Sequence, residues 1–545
     1  MNGRWRHANA KALHFAQAAP QERDKSKGRI VYRSIVLARA PSSALPVATL
    51  VAMALILWFG LTAIATPFDH DESQYVAGAY FGGRLLIFHD FLYLQPPLHS
   101  WTFAPLTLLF PDHMVVAMRL ATAATALCTV ATLWAGQRIA GISRDSAAIA
   151  TLLVGATAAF QFTGAVVRND MLPTLLSSMA LLVSLLALRH CTPRYWFAAG
   201  SLFGLAIATK LNFAPLGLMT GLFVISAGGR CGLRAACWLA VGAMAGMTPM
   251  LVAWALAPDA FFYGVLTFGA TAPHAWYAAN GAFDELATIE KLTDLLKYLW
   301  KGPALAALLL LSANWIMTRR RVRSPGRRLA IWMTGGALIG AALPTPSQVQ
   351  YVMPLLPPLA LALGYLFDDA RRWSFAPRQA LLGLLCLAAI PGMLAATRHV
   401  VAMLRTGSPV LEADAAARWA GASVRAMGRG DDVATLSPHM ILGSGLTLDP
   451  RFATGPFAWR TGWTMGPVLA RQVHAMIPAT LPDMDRDPPA AILTGYEGGT
   501  RKLPLRPDDP LVAYARQRGY RMVAMPDGVG RLYLRAPELL VSRKD

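Results

Sequence analysis

Charged side chains are scarce in this chain: they make up 15% of its 545 residues, where soluble domains approach about a quarter. Hydrophobic residues make up 55%, which excludes an ordinary water-soluble globule and points to a membrane. Acids are the scarcer sign, 30 against 50 lysines and arginines, for a net charge of +20. There are only five cysteines; all lie in or beside apolar stretches and none lies beyond residue 400, so no disulfide framework is expected. No cleavable signal peptide is visible, because the first apolar run is long and lies behind a basic tail, as a signal anchor does. Fixed-period repeats and inverted halves with interrupted helices are also lacking, which weighs against a secondary transporter.

What is present is a succession of apolar runs long enough to cross about 30 Å of hydrocarbon as helix. They fall near residues 44–66, 114–137, 146–166, 171–188, 195–209, 212–228, 235–256, 303–317, 329–343, 351–367 and 379–397, about eleven spans. An odd number places the termini on opposite faces, and the basic residues orient the chain. The tail 1–43, the turns at Arg138/Arg144, Arg189/Arg194 and Arg230/Arg234, the run "RRRVRSPGRR" and "RRWSFAPR" share one side, the cytoplasmic one. The excess charge is thus positive-inside bias and calls for no nucleic-acid partner. Acids show the reverse asymmetry, with Asp69, Asp71, Glu72, Asp90, Asp112, Asp170, Asp259 and Asp284 outside. Any chemistry is therefore expected on the outer face.

Three regions follow: a basic tail, 1–43, with the composition of a disordered segment; a multi-span domain, 44–399, with interfacial helices in its first outer loop, 67–113; and a soluble domain, 400–545. In the last, "LEADAAARWAGASVRAM" and "DPLVAYARQRG" have helical spacing. "DDVATLS" and "PAAILTG" read as buried strands, and "YRMVAM" with "GRLYLR" as two strands joined by the turn "PDGVG". A small α/β module on the outer face is expected.

The first outer loop opens with "FDHDESQY". On an extended segment Asp69 and Asp71 project to one side, a pair able to chelate a divalent cation. Asp71-Glu72-Ser73-Gln74 also fits a helix N-cap with capping-box spacing, and there the helix dipole keeps the carboxylate ionised and available as a base. The stretch after it, "SQYVAGAYFGGRLLIF", is too short to span and reads as an interfacial helix. The second outer loop, "AVVRNDMLP", holds Arg168 and Asp170 between two apolar helices, and Lys210 is an isolated cation at an outer mouth, where a lipid phosphate would sit. Trp276 and Tyr277 suit either stacking on a sugar or anchoring at the membrane interface.

Asp71-Glu72 with Tyr75, Gln95-Pro96-Pro97, Arg119-Leu120, Arg168 with Asp170, Thr209-Lys210 and "QYVMPLLPPLALALG" at 350–364 occur in an order that resembles the C-type polyprenyl-phosphate-sugar glycosyltransferases. The protein O-mannosyltransferases and the lipid A aminoarabinose transferases are close relatives in pattern. The resemblance implies an α-helical polytopic membrane fold with a small extracytoplasmic α/β domain, in a bacterial-type inner membrane. It implies a polyprenyl-phosphate sugar donor entering from the membrane lipids and a glycolipid or protein acceptor. It makes Asp71 the base and Asp170 the accompanying acid, with Glu72, Tyr75, Arg168, Lys210, Gln95 and Tyr351 toward substrate.

A phosphate leaving group needs neutralisation more than protonation, so Arg168 and Lys210 are the expected cations and Arg84 a poorer third. Direct displacement at the anomeric carbon would invert it, by analogy with the family. The resembling families often carry a basic residue just before the Tyr of Y-x-x-P; here it is Gln350, leaving Lys210, Arg168 or a metal at Asp69 and Asp71 to hold the phosphate. No cofactor is otherwise required. A glycolipid transporter or flippase is the alternative reading, although ionisable groups gathered at one face favour surface chemistry over transport.

Overall fold

The computed structural model describes residues 44–317 and 324–536; the basic tail and most of the "RRRVRS" run lie outside them. It divides into two compact units, residues 1–58 and 59–545. Helix α1 (Ala44–Ala65) begins in the first. The second continues through α2 (Glu72–Gly82), α3 (Leu98–Leu109), α4 (Met114–Ile139), α5 (Arg144–Gly155), α6 (Ala158–Thr163), α7 (Met171–His190), α8 (Pro193–Ile207), α9 (Ala214–Gly246) and α10 (Thr248–Leu256). Then come α11 (Pro258–Phe262), α12 (Phe268–Ala279), α13 (Thr288–Trp300), α14 (Ala304–Met317), α15 (Pro325–Ala342), α16 (Leu356–Ala370) and α17 (Phe375–Thr406).

Among the described residues, six helices are long and apolar enough to cross a membrane, or up to eight if two bent pairs are counted as single spans. This is an integral membrane protein. Each of the eleven expected runs is occupied by helix, but several are too short or too broken to span alone. The third run splits into α5 and α6 around Ala156 and Thr157, and α8 has 15 residues. Helices α13 and α14 meet at 92°, where Gly302, at φ +135°, and Pro303 interrupt the backbone ladder.

The helical stretch α9 folds back on itself, bringing Gly221 against Leu239 and Gly232 against Val224. Helix α8 packs into that hairpin through small residues: a Cβ on Gly200 would lie 2.0 Å from the Leu239 carbonyl oxygen, and one on Gly204 2.1 Å from that of Ala243. Gly242 and Gly246 return the contact against the Phe197 and Ser201 carbonyls, each at 2.0 Å. In lipid, where apolar surface alone does not drive helices together, such backbone approach supplies the packing. Gly204→Ala is expected to lower stability in detergent by about 1–3 kcal/mol, because a backbone carbonyl cannot rotate away as a side chain can. An unchanged melting midpoint would show that the helices do not meet here.

Residues after Pro409 build α18 (Pro409–Arg425), β1 (Asp432–Thr435), β2 (Thr447–Leu448), α19 (Pro456–Arg460), α20 (Gly462–Gln472), β3 (Ala491–Thr494), α21 (Asp509–Gln517), β4 (Arg521–Ala524) and β5 (Arg531–Leu534). The sheet order is β2-β1-β3-β5-β4, parallel for β2, β1 and β3 and antiparallel for β3-β5 and β5-β4. The four expected strands and two expected helices are all present; β2 and the short helices between β1 and β3 were not legible. In the turn between β4 and β5, Asp527 Oδ1 accepts from the Val529 and Gly530 amides, both at 2.9 Å, with Gly528 at φ +71°.

Ala434, Phe452, Trp459, Ile492 and Tyr533 form a core of the module's own. A second apolar core is continuous from α2 and the segment after it into the module, joining Tyr75, Phe81, Tyr93 and Phe261 to Val433, Leu442, Phe457 and Leu532. Helix α2, expected at the membrane interface, is therefore enclosed by protein, with residues 72–81 all buried. Its burial follows from composition: Gly78 lies under the Tyr93 ring and Gly82 under Ser100, positions where a side chain has no room.

Candidate active site

The expected site residues collect at one end of the bundle, where α2 and α7 begin, α8 ends and α16 approaches. The other end gathers different charges: Arg327 pairs with both oxygens of Asp369 at 2.5 and 2.6 Å, and Asp368 accepts the Ser143 amide at 3.1 Å.

The centre is Arg168, only 3% exposed. Its Nη1 lies 2.7 Å from Asp69 Oδ1 and 2.6 Å from Asp71 Oδ2, and its Nε donates to Asp170 Oδ2 at 3.3 Å. Lys210 Nζ donates to the other Asp170 oxygen at 2.5 Å. Three carboxylates thus share two cations. The Arg168 guanidinium lies 5.8 Å from the Tyr75 ring, and Lys210 Nζ 5.1 Å from the Tyr351 ring. Lys210 so occupies the neighbourhood of Tyr351 in which Gln350 offers no charge. Gln95 joins through Asn169, whose Nδ2 donates to Gln95 Oε1 at 3.0 Å and to the Thr209 carbonyl at 3.3 Å.

Asp71 does not act as a cap. Its backbone is already helical, at φ −66° and ψ −24°, and its side chain accepts no capping hydrogen bond. Glu72 instead reaches back to accept the Asp69 amide at 3.0 Å, while Asp69 Oδ1 accepts the Asp71 amide at 2.9 Å. The Asp71 carboxylate instead turns one oxygen to Arg168 and the other to His70 Nε2, at 3.2 Å, and is 20% exposed. Burial by itself would raise its pKa, but Arg168, His70 and Arg460 outweigh burial and hold it at about 2. Burial likewise lowers the Lys210 ammonium, against the upward pull of Asp170.

Glu72, expected to face substrate, points the other way. It is 0% exposed, and so is its partner Arg119. Glu72 Oε1 accepts from Arg119 Nε at 2.9 Å and from the Val167 amide at 2.8 Å, and Arg119 Nη2 holds Oε2. Arg119 also donates to the Ala63, Thr66 and Pro67 carbonyls at 3.1, 2.6 and 3.3 Å. The pair ties the end of α1 and the start of α2 to α4 and to the Arg168 loop. Arg84, the third expected cation, is engaged elsewhere, donating to the Tyr80 carbonyl at 2.7 Å and Thr107 Oγ1 at 2.9 Å.

As for the expected metal, Asp69, His70 and Asp71 each offer a ligand atom within 4.8 Å of the others. Arg168 already lies against both carboxylates, so an ion bridging them would have to displace a guanidinium.

Two charged residues of the module were not foreseen. Helix α19 docks on the first outer loop: Gly455, at φ +56°, lies so close to Ser73 that a Cβ would be 2.4 Å from its Oγ, and Phe457 stacks on His70 at 5.7 Å. Arg460 follows at its end, with its guanidinium 4.5 Å from the Phe457 ring and 5.2 Å from that of Trp276. Trp276 is thus buried beneath Arg460. Glu497, after β3, is only 9% exposed.

Burial and the neighbouring Asp508 push the Glu497 carboxyl up to about 8, with Arg460 opposing. Folding therefore favours its protonated form: the associated stability is fully present below the unfolded value of 4.5 and is lost as pH rises to about 8. Glu497→Gln is expected to match the wild type near pH 4 and to melt higher at pH 9, by a margin on the order of a few kcal/mol. Parallel melting curves at every pH would mean that Glu497 is solvated.

Comparison with known proteins bears on the fold. Residues 94–255 match the family model described as dolichyl-phosphate-mannose-protein mannosyltransferase. Among solved structures, ArnT from Cupriavidus metallidurans bound to undecaprenyl phosphate is similar over 92% of this chain and 99% of its own, with a TM-score of 0.59 at 14% identity. The same protein in the apo state gives 0.57 at 16% identity, covering 91% and 99%. No curated protein matches by sequence. The fold of this chain is thus ArnT-like, and it resembles the C-type glycosyltransferases in a stretch of its sequence as well as in its architecture.

Proposed function

We propose that this protein is a membrane glycosyltransferase that moves a sugar from a polyprenyl-phosphate donor to an acceptor hydroxyl on the extracytoplasmic face, with inversion. The observation that carries the proposal is the partly exposed Asp71 carboxylate, set against Arg168 and within one charged cluster with Asp170 and Lys210. The match to mannosyltransferases over residues 94–255 and the likeness to an undecaprenyl-phosphate-binding protein support a lipid-phosphate donor. The basic ends at Arg138, Arg144, Arg327 and Arg371 support placing the other end, with the module, outside.

In this mechanism the donor phosphate takes part of Arg168 and Lys210 away from the carboxylates. With a pKa of about 2, Asp71 is a weak base at rest; as Arg168 turns to the phosphate, its proton affinity rises toward the ordinary carboxylate value. The acceptor oxygen forms its bond to the anomeric carbon as the carbon–oxygen bond to phosphate breaks. The acceptor proton goes to Asp71, and the bonding electrons leave with polyprenyl phosphate, whose charge Arg168 and Lys210 stabilise. Displacement from the opposite face inverts the anomeric carbon. Asp170 holds the two cations together, and Tyr75, Gln95 and Tyr351 line their approach.

The reading is tested by mass spectrometry of surface glycolipids and glycoproteins with and without the gene, coupled to an assay of released polyprenyl phosphate. Loss of one sugar-sized increment is expected on deletion. An unchanged glycan profile with no release of the carrier would overturn it.

A further inference from the structure

Arg168 and Lys210 are already engaged by Asp69, Asp71 and Asp170, so the cluster has one more carboxylate than it has cations. As it stands it would repel the phosphate that the reaction requires. The missing charge comes from the C-terminal module. Arg460 is among the groups whose positive charge bears on Asp71, and among the described residues its guanidinium has no carboxylate or hydrogen-bond partner, only the faces of Phe457 and Trp276. Aromatic faces orient a guanidinium while leaving its N–H donors unspent.

The construction around it is specific. Trp459 is buried in the module core, its Nε1 donating to the Pro507 carbonyl at 2.8 Å, which fixes the end of α19. Gly455 permits the close approach to Ser73 that brings this helix onto the first outer loop. Nearby Glu497 does not cancel the charge: its carboxyl has no hydrogen-bond donor among the described residues, and with its pKa pushed up to about 8 it keeps its proton at neutral pH. A carboxylic acid in that state donates a hydrogen bond to an anion instead of repelling it.

We propose that Arg460 is a lipid-phosphate-binding residue of the active site, delivered by the C-terminal module, which receives the donor phosphate together with Arg168 and Lys210. This rests on the glycosyltransferase reading. It gives the module a part in donor binding, so that the site is complete only with α19 seated.

The test is equilibrium binding of undecaprenyl phosphate, undecaprenol and phosphatidic acid to the full-length protein in detergent. Wild type should bind undecaprenyl phosphate at least about tenfold more tightly than undecaprenol, and phosphatidic acid should compete poorly. Arg460→Gln should lose about 10–100-fold in affinity for the phosphate with undecaprenol binding unchanged, which also shows that the variant is folded, and Arg460→Lys should recover part of the loss. Wild-type affinity for undecaprenyl phosphate in Arg460→Gln would overturn the inference alone. Equal competition by phosphatidic acid would make this a general headgroup site and overturn the donor assignment. A wild type that fails to distinguish undecaprenyl phosphate from undecaprenol would overturn both this inference and the glycosyltransferase reading.

Discussion

Asp71→Asn is expected to lower sugar transfer by about 10²–10⁴-fold, the usual contribution of a positioned base, with little change in fold or donor binding. Asparagine keeps the shape of the side chain but cannot take the acceptor proton. Arg168 retains Asp69 at 2.7 Å and Asp170 at 3.3 Å, so the cluster does not collapse. Asp69→Asn, which also removes one partner of Arg168 but leaves the base in place, should cost far less. Comparing single-turnover rates of the two variants separates base from counter-ion. Transfer by Asp71→Asn at near wild-type rate would reduce Asp71 to a structural role and remove the mechanism.

The second large effect falls on stability. Glu72→Gln leaves Arg119 charged, fully buried and short of its carboxylate, which should destabilise the protein by about 3–5 kcal/mol. Because the pair joins α1, α2, α4 and the loop carrying Arg168, the variant is expected to yield less folded protein while whatever folds retains its affinity for substrate. The double variant Glu72→Gln, Arg119→Met should regain part of the stability by removing the unpaired charge. Had Glu72 a place at the substrate, as its position beside Asp71 in the family pattern implies, Glu72→Gln would instead raise KM at unchanged thermal stability. A melting midpoint and a KM measured on the same preparation decide between these.

The neighbours Asp71 and Glu72 illustrate how far sequence can go. Both are acids at the point where an apolar helix ends, and nothing local separates them. A helical turn sends one side chain toward Arg119 on α4 and the other toward Arg168, and only those through-space partners make one a buried strut and leave the other partly exposed as the candidate base. The capping-box spacing suggested that Asp71 would also cap its own helix; its side chain accepts no cap hydrogen bond, and Glu72 makes the backward hydrogen bond to Asp69. Arg460 left no signal at all, because "PFAWR" reads as an ordinary aromatic-rich turn until the module docks on the first outer loop.

By itself the sequence determined that this chain enters a membrane, which end of its helices gathers the acids, and that a small α/β module follows. Hydropathy, helical and strand periodicity and positive-inside bias act over neighbouring residues, so they can be read along the chain. Which charges pair, which remain open, and which distant arginine reaches Asp71 electrostatically were decided by the tertiary structure. Electrostatic energy depends on distance and burial in space, and docking the module brings Arg460 and Glu497 within electrostatic reach of Asp71, far away in sequence.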